Sequence, residues 1–321
     1  MLLPIVAIAA GIVFLLWSAD KFVEGAAAVA ERLGISQIVI GMVIVGFGTS
    51  LPEMTVSALS AWQGAPGLAL GNAYGSNIAN ITLILGVAAV VNPIRVKQGL
   101  VKREIPVLIA ITLISILLFC FDMTISRVDA IILLVIFAIG MWLSTRGSAD
   151  SAASGDVEEE KPAVMSLNSG IFWVVVGLVV LMASSQSLVW GAIQVARALG
   201  VSELTIGLTV VAVGTSLPEL ASSLAAARKN RHDIAIGNVI GSNIFNTLVV
   251  VGIAGLIKPL AVEPAILTRD MPALVFVTAI LYFLCRKGRH DNGVVTRGEG
   301  VGLLVLFVLY TAWVGYTSFG A

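Results

Sequence analysis

Apolar residues in this chain come in long unbroken blocks, not in the short alternations of strands or the one-sided stripes of soluble helices. Blocks long enough for a membrane-crossing helix of about 20 residues fall at 2–31, 36–62, 67–91, 104–121 and 127–143, and again at 169–197, 202–227, 233–257, 270–285 and 300–319. The pattern predicts an all-α integral membrane protein with ten transmembrane helices, five on either side of a polar interruption. The first block begins at Leu2 with no preceding positive charge and outruns a signal-peptide core, so it is expected to stay as a helix. The interruption, residues 144–168, carries Glu158, Glu159, Glu160 and many small polar residues. It cannot bury enough to fold alone and is expected to be a solvated loop. It divides a first five-helix repeat, 1–143, from a second, 169–321.

The two halves are copies of one unit. GTSLPE at 48–53 recurs at 214–219, and GNAYGSNIAN at 71–80 recurs as GNVIGSNIFN at 237–246. Both pairs are 166 positions apart, and an ungapped comparison of 41–93 with 207–259 gives 21 identities in 53. Gly25 and Gly191, Arg103 and Arg269, and Pro106 and Pro272 keep the same register.

Five spans per copy is an odd number, so the second copy must enter the membrane from the opposite side. The copies are then inverted repeats, an architecture of secondary transporters whose sites lie at the repeat interface near the midplane, built from broken helices. Charge sets the orientation. One set of loops holds fourteen Lys and Arg residues and the opposite set holds four, namely Arg127, Arg197, Lys258 and Arg269. Cytoplasmic loops carry the excess, which predicts a plasma-membrane protein with both termini extracytoplasmic.

Composition agrees with a lipid-covered chain. Hydrophobic residues make up 58% of the 321 and charged ones 12%, about half the charged share of soluble domains. The formal net charge is zero, which gives no argument for nucleic acid as a partner. Cys120 and Cys285 lie in or beside apolar runs and read as fillers, not as a disulfide.

Within this apolar chain, Glu53 and Glu219 fall inside the second and seventh spans. A charge at the bilayer centre costs roughly 2.5–3.5 kcal/mol on insertion scales, and neither span offers a basic partner. Cations can supply the missing charge. Pro52 and Pro218 cannot donate the backbone bonds that Gly48 and Gly214 would accept in a helix, and freed carbonyls in a membrane must line a cavity or find a partner. Thr49, Ser50, Thr215 and Ser216 add hydroxyls that can serve either as ligands or as local patches of the break. Asn72, Ser76 and Asn80 share one helical face, and Asn77 completes a set repeated as Asn238, Ser242, Asn243 and Asn246. The glycines of that motif, Gly71, Gly75, Gly237 and Gly241, read as close helix packing. Carboxylate, carbonyl, hydroxyl and amide oxygens suit hard cations such as calcium.

The paired GTSLPE and GNxxGSNxxN motifs resemble the alpha repeats of the cation/calcium exchanger superfamily, specifically its prokaryotic sodium/calcium antiporters, over nearly the whole chain. The resemblance implies a cation site of Thr49, Ser50, Glu53, Ser76 and Asn80 with Thr215, Ser216, Glu219, Ser242 and Asn246, plus carbonyl ligands from Gly46 and Ala212. It implies calcium and sodium as transported ions in a lipid membrane, with no resident cofactor. Such exchangers often carry an aspartate at one of the positions held here by Asn80 and Asn246. This chain has asparagine at both, so the site has two carboxylates and not three, which leaves any potassium dependence open.

The nearest rival is a proton/calcium exchanger, in which a glutamate carries protons in place of sodium; the resemblance favours sodium. An intramembrane metalloprotease needs an HExxH helix, and the two histidines, His232 and His290, fall in expected loops. The chain is therefore not expected to be an enzyme.

Overall fold

The computed structural model describes residues 2–153, 165–200, 212–286 and 292–319. Helices fall on the described residues of each expected block, several of them longer than expected, and residues 202–211 of the seventh block lie outside the described set. Helix α1 is Leu2–Leu33; the second span is broken into α2, Gln37–Thr49, and α3, Leu51–Gln63, bent by 45°. Then come α4, Pro66–Val91, α5, Gln98–Phe119, and α6, Arg127–Ala153. Helix α6 thus runs on into the stretch expected to be loop, whose residues 154–164 lie outside the described set.

The second half repeats the order. Helix α7 is Leu167–Ala198; α8, Ala212–Thr215, and α9, Leu217–Arg228, form the described part of the seventh span. Helix α10 is His232–Ile257, α11 is Ile266–Arg286 and α12 is Arg297–Phe319. His232 therefore opens a helix and is not a loop residue, and His290 lies outside the described residues. Among the described residues six helices are long and apolar enough to cross a bilayer, and the bent pair α2–α3 makes a seventh.

Two short antiparallel ribbons, not expected from the sequence, tie the halves together. Strand β1, Ile94–Lys97, pairs with β4, Asn292–Val295, and β2, Thr124–Ile125, pairs with β3, Leu260–Ala261. Leu260 stands 166 positions after Ile94, so β3 is the counterpart of β1, and each ribbon joins the loop after the third span of one half to the loop after the fourth span of the other.

The long helices α1 and α7 pack side by side, with their outer faces exposed in lipid-facing fashion. Their contact relies on small residues. A Cβ on Gly25 would lie 2.7 Å from the Gly170 carbonyl, and one on Gly191 would lie 2.6 Å from the Pro4 carbonyl. These four positions are exchanged by the 166-residue offset, so the pair is self-complementary. The same device seats α10 against α2, where a Cβ on Gly241 would lie 2.5 Å from the Met42 carbonyl and one on Gly237 2.7 Å from that of Ile38. The packing role expected for these two glycines is seen. The equivalent neighbours of Gly71 and Gly75 fall in 204–208, outside the described residues.

Charges cluster at one end of α1. Lys229 Nζ lies 2.7 Å from Glu24 and 3.7 Å from Asp20, and Arg231 lies 2.8 Å from Glu31. These join α1 to the connection after α9. Both cysteines are free thiols, with Cys285 buried.

Candidate functional site

Each break places its glutamate in the first turn of a half-helix. Ser50 (φ −81°, ψ 4°) and Ser216 (φ −89°, ψ 8°) leave helical geometry, and Pro52 and Pro218 follow as second residues of α3 and α9. There a proline costs nothing, because first-turn N–H groups lack helical acceptors anyway. The proline therefore starts a new helix at the break. Glu53 and Glu219 then sit at the positive ends of α3 and α9. The carbonyl freed at Gly214 accepts the Ser185 hydroxyl of α7 at 3.2 Å; the equivalent first-half position is Ala19, which has no hydroxyl.

The two halves reach across to each other's acid. Ser50 Oγ donates to Glu219 Oε1 at 3.1 Å, and Ser216 Oγ donates to Glu53 Oε1 at 3.2 Å. Both carboxylates are 1% exposed. Ser216 Oγ also lies 3.5 Å from Ser76 Oγ. The second oxygen of each acid, Glu53 Oε2 and Glu219 Oε2, is buried with no hydrogen-bond partner. So are Asn80 Oδ1, Asn77 Oδ1 and both polar atoms of the Asn246 side chain. Among the described residues no group of three or more His, Cys, Asp or Glu gathers, so the acid count here is two.

Other expected residues occupy the surrounding framework. Thr49 Oγ1 donates back to the Val45 carbonyl at 3.0 Å and faces Asn238 Oδ1 at 3.2 Å. Its hydroxyl patches the break. The Gly46 carbonyl accepts the Ser50 N–H at 3.1 Å, with Ser242 Oγ 3.5 Å away. Asn80 Nδ2 donates to Asn243 Oδ1 at 2.9 Å, joining α4 to α10. Ala212 is the first described residue of α8, and half-buried Thr215 is its last.

Residues that the motif contains but that were not expected as site members hold the acids in place. Asn72 Nδ2 donates to the Glu53 carbonyl at 3.1 Å and to Ser57 Oγ at 2.9 Å. In mirror fashion Asn238 Nδ2 donates to the Glu219 carbonyl at 3.2 Å and to Ser223 Oγ at 2.8 Å. Ser57 and Ser223 are themselves 166 positions apart, a signal already present in the repeat. Asn77 Nδ2 bonds Thr247 Oγ1 at 2.8 Å across the halves. Asn80 and Asn246 each begin a stretch of wider π-helical turns, Asn80–Ile84 and Asn246–Val250, a feature common at functional sites.

A buried oxygen-lined cluster shared by two repeated halves, with broken helices aimed at it, is the arrangement of an ion-transporting membrane protein. A sodium/calcium exchanger protein family model matches residues 3–146 and 169–316, and the chain belongs to that family, a branch of the cation/calcium exchangers. It is 42% identical over 315 residues to the putative antiporter CaxA of Alkalimonas amylolytica, covering 97% of this chain and 98% of that one. It is 31% identical to the sodium/calcium exchanger MaX1 of Methanosarcina acetivorans, over 94% of this chain and 95% of that one. Its fold superposes on the solved sodium-calcium exchanger NCX_Mj, soaked with Na+ and Sr2+, with a TM-score of 0.84. The identity there is 32%, over 97% of this chain and 98% of that one. The chain is thus a multi-pass membrane exchanger built of two repeats, and its cargo is calcium and a second cation.

Proposed function

We propose that the chain exchanges calcium for sodium, with Glu53 and Glu219 supplying the charge that binds them. The observation that carries this reading is the crossed pair of serine–glutamate bonds, which ties one oxygen of each buried acid to the opposite half and leaves Glu53 Oε2 and Glu219 Oε2 unpartnered. The amide oxygens of Asn80 and Asn246 are unpartnered as well, and serine hydroxyls lie within the same cluster. Carboxylate and amide oxygens are hard donors of the kind that calcium takes. The site residues are Glu53, Glu219, Ser50, Ser216, Ser76, Asn80, Ser242 and Asn246, with Thr49, Thr215 and the Gly46 and Ala212 carbonyls completing the set.

The mechanism follows from charge. Two carboxylates in a buried site repel, so the empty site is unstable with both ionised. One calcium neutralises both, and so do two sodium ions at overlapping positions. Either load leaves a neutral core that can pass between states open to one side and then the other. Alternating access by movement of one unit against another around a fixed site is the general behaviour of inverted repeats. Here α1 and α7, which contribute none of the motif residues and pack through their glycine notches, are the moving pair. Ten spans with both termini outside and the Lys/Arg-rich loops inside complete the arrangement.

The test is calcium uptake into vesicles that hold sodium, with the sodium and pH gradients set independently. Uptake that follows the sodium gradient at fixed pH supports the proposal. Uptake that follows only the pH gradient assigns proton exchange, the related reading in which the glutamates carry protons outward.

A further inference from the structure

The halves differ around their fourth and fifth spans, where their equivalence can be checked residue by residue. Each carries an arginine followed by an acid, Arg103–Glu104 at the start of α5 and Arg269–Asp270 at the start of α11, 166 positions apart. The last helices α6 and α12 align at an offset of 170, because Ser126-Arg127-Val128-Asp129 and Thr296-Arg297-Gly298-Glu299 build the same cap. In both, the acid accepts the backbone N–H of the hydroxyl residue (2.8 and 2.9 Å) and its side-chain hydroxyl (2.6 and 2.9 Å). In that register Tyr310 of α12 corresponds to Gly140 of α6, and Thr317 to Gly147.

The two halves therefore occupy this position differently. In the second half the Tyr310 hydroxyl donates to Asp270 Oδ1 at 3.0 Å, and Arg269 bonds Asp270 (2.7 and 3.1 Å) and Thr317 (2.8 Å). These bonds tie α12 to the start of α11. In the first half no side chain grows from Gly140, and a cavity of about 400 Å³ lies between α5, α6 and α10. Ile111, Phe137, Ile244, Phe245 and Leu248 line it, and Arg103 and Glu104 form its polar end. Val107 and Ile139, also lining it, are exposed toward the surrounding lipid.

The polar end belongs to a basic stretch of chain. Arg103 Nε lies 3.8 Å from Glu104, and Lys97 pairs with Asp233 at 2.8 Å. Residues 94–104 carry Arg95, Lys97, Lys102 and Arg103 with Glu104 as their one acid. Basic pockets between membrane helices on the cytoplasmic side suit anionic headgroups. We propose that this cavity is a binding site for one acyl chain of an anionic phospholipid, whose phosphate is held by Arg103 and Lys102. The chain would lie against Ile244 and Phe245 of α10, whose opposite neighbours Ser242 and Asn246 belong to the ion cluster.

The test uses the full chain in nanodiscs with phosphatidylglycerol that carries a photoreactive diazirine in its acyl chain, followed by peptide mapping. The expected result is labelling concentrated on α5, α6 and α10, competed by unlabelled phosphatidylglycerol more strongly than by phosphatidylethanolamine. Gly140→Phe should reduce that labelling to background; a Cβ there meets nothing within 4 Å, so the backbone has room for it. Arg103→Gln, at a half-exposed position, should lower the preference for phosphatidylglycerol about fivefold. Labelling spread evenly over the lipid-facing helices, or unchanged in Gly140→Phe, would overturn the site. Equal competition by both lipids, or an unchanged preference in Arg103→Gln, would overturn its anionic character. None of these readouts depends on which ions the chain exchanges.

Discussion

Consider replacing Glu53 by glutamine. The side chain keeps its size and can still accept the Ser216 hydroxyl, which lies 3.2 Å from Oε1. Only the charge is lost. Glu53 is 1% exposed, and among the described residues neither Glu53 nor Glu219 has a Lys or Arg partner, so the bound cation is the whole of the compensation. With calcium bound, the native pair sums to zero and the variant is left with one uncompensated positive charge in a buried site. Removing one partner from a buried charge set costs about 3–5 kcal/mol. At about 1.4 kcal/mol per decade, the KM for calcium should rise by about 10²–10⁴-fold. The measurement is radioactive calcium uptake into sodium-loaded proteoliposomes across a range of calcium concentrations, with size-exclusion chromatography to show that the variant is folded. A KM within about tenfold of the parent's would falsify the two-carboxylate account, because it would mean that Glu53 is not charged when calcium binds. Glu219→Gln should behave alike, since the crossed bonds make the two acids equivalent.

Further outcomes follow from the same geometry. Ser50→Ala and Ser216→Ala each remove the serine donor that reaches one carboxylate from the opposite half, worth about 1.5–3 kcal/mol for a charged acceptor. Their effects on the KM for calcium should be similar to each other, and unequal effects would show that the site is not symmetric. Asn238→Leu leaves the Glu219 carbonyl, Ser222, Ser223 and Thr49 without their amide partner. At roughly 1–3 kcal/mol per unsatisfied buried group, its thermal unfolding temperature should drop well below that of a surface control. Gly241→Ala pushes a methyl to 2.5 Å from the Met42 carbonyl, and overpacking of this kind costs about 1–3 kcal/mol or more. A variant purified in parent yield, with unchanged melting, would show that α10 can retreat from α2. Lys229→Glu breaks the contact with Glu24 and Asp20, and pairing it with Glu24→Lys should restore it. Labelling of a cysteine placed beneath α1 should rise in the single variant and fall back in the double one.

Much of the fold is written in the chain at the level of long apolar blocks and a 166-residue register, because lipid imposes length and duplication imposes repetition. The paired glutamates and prolines mark the two breaks directly, since a carboxylate and an imino acid in mid-membrane have few other uses. Several features lie beyond such reading. Serine could have bonded the acid of its own half or of the other; only the closure of the halves shows that Ser50 reaches Glu219 and Ser216 reaches Glu53. The π-helical turns at Asn80 and Asn246 add no residue type that composition would flag. The β1–β4 and β2–β3 ribbons join residues some 200 and 136 positions apart in the chain, too distant and too short for local pattern to suggest. Asp20 and Glu24 have no charged counterparts in the second half, and their partner, Lys229, is visible only once α1 and the connection after α9 come together.

That last contact sets a difference between two ends of an otherwise matched machine. At the end where Lys229 and Arg231 sit, the long helix is tethered by opposite charges. In the other half Gln63 and Ala65 stand where Lys229 and Arg231 do, and Gln186, Trp190 and Arg197 stand where Asp20, Glu24 and Glu31 do. Five charges, Asp20, Glu24 and Glu31 with Lys229 and Arg231, thus hold the long helix at this end, and duplication left the two ends of the molecule with different fastenings.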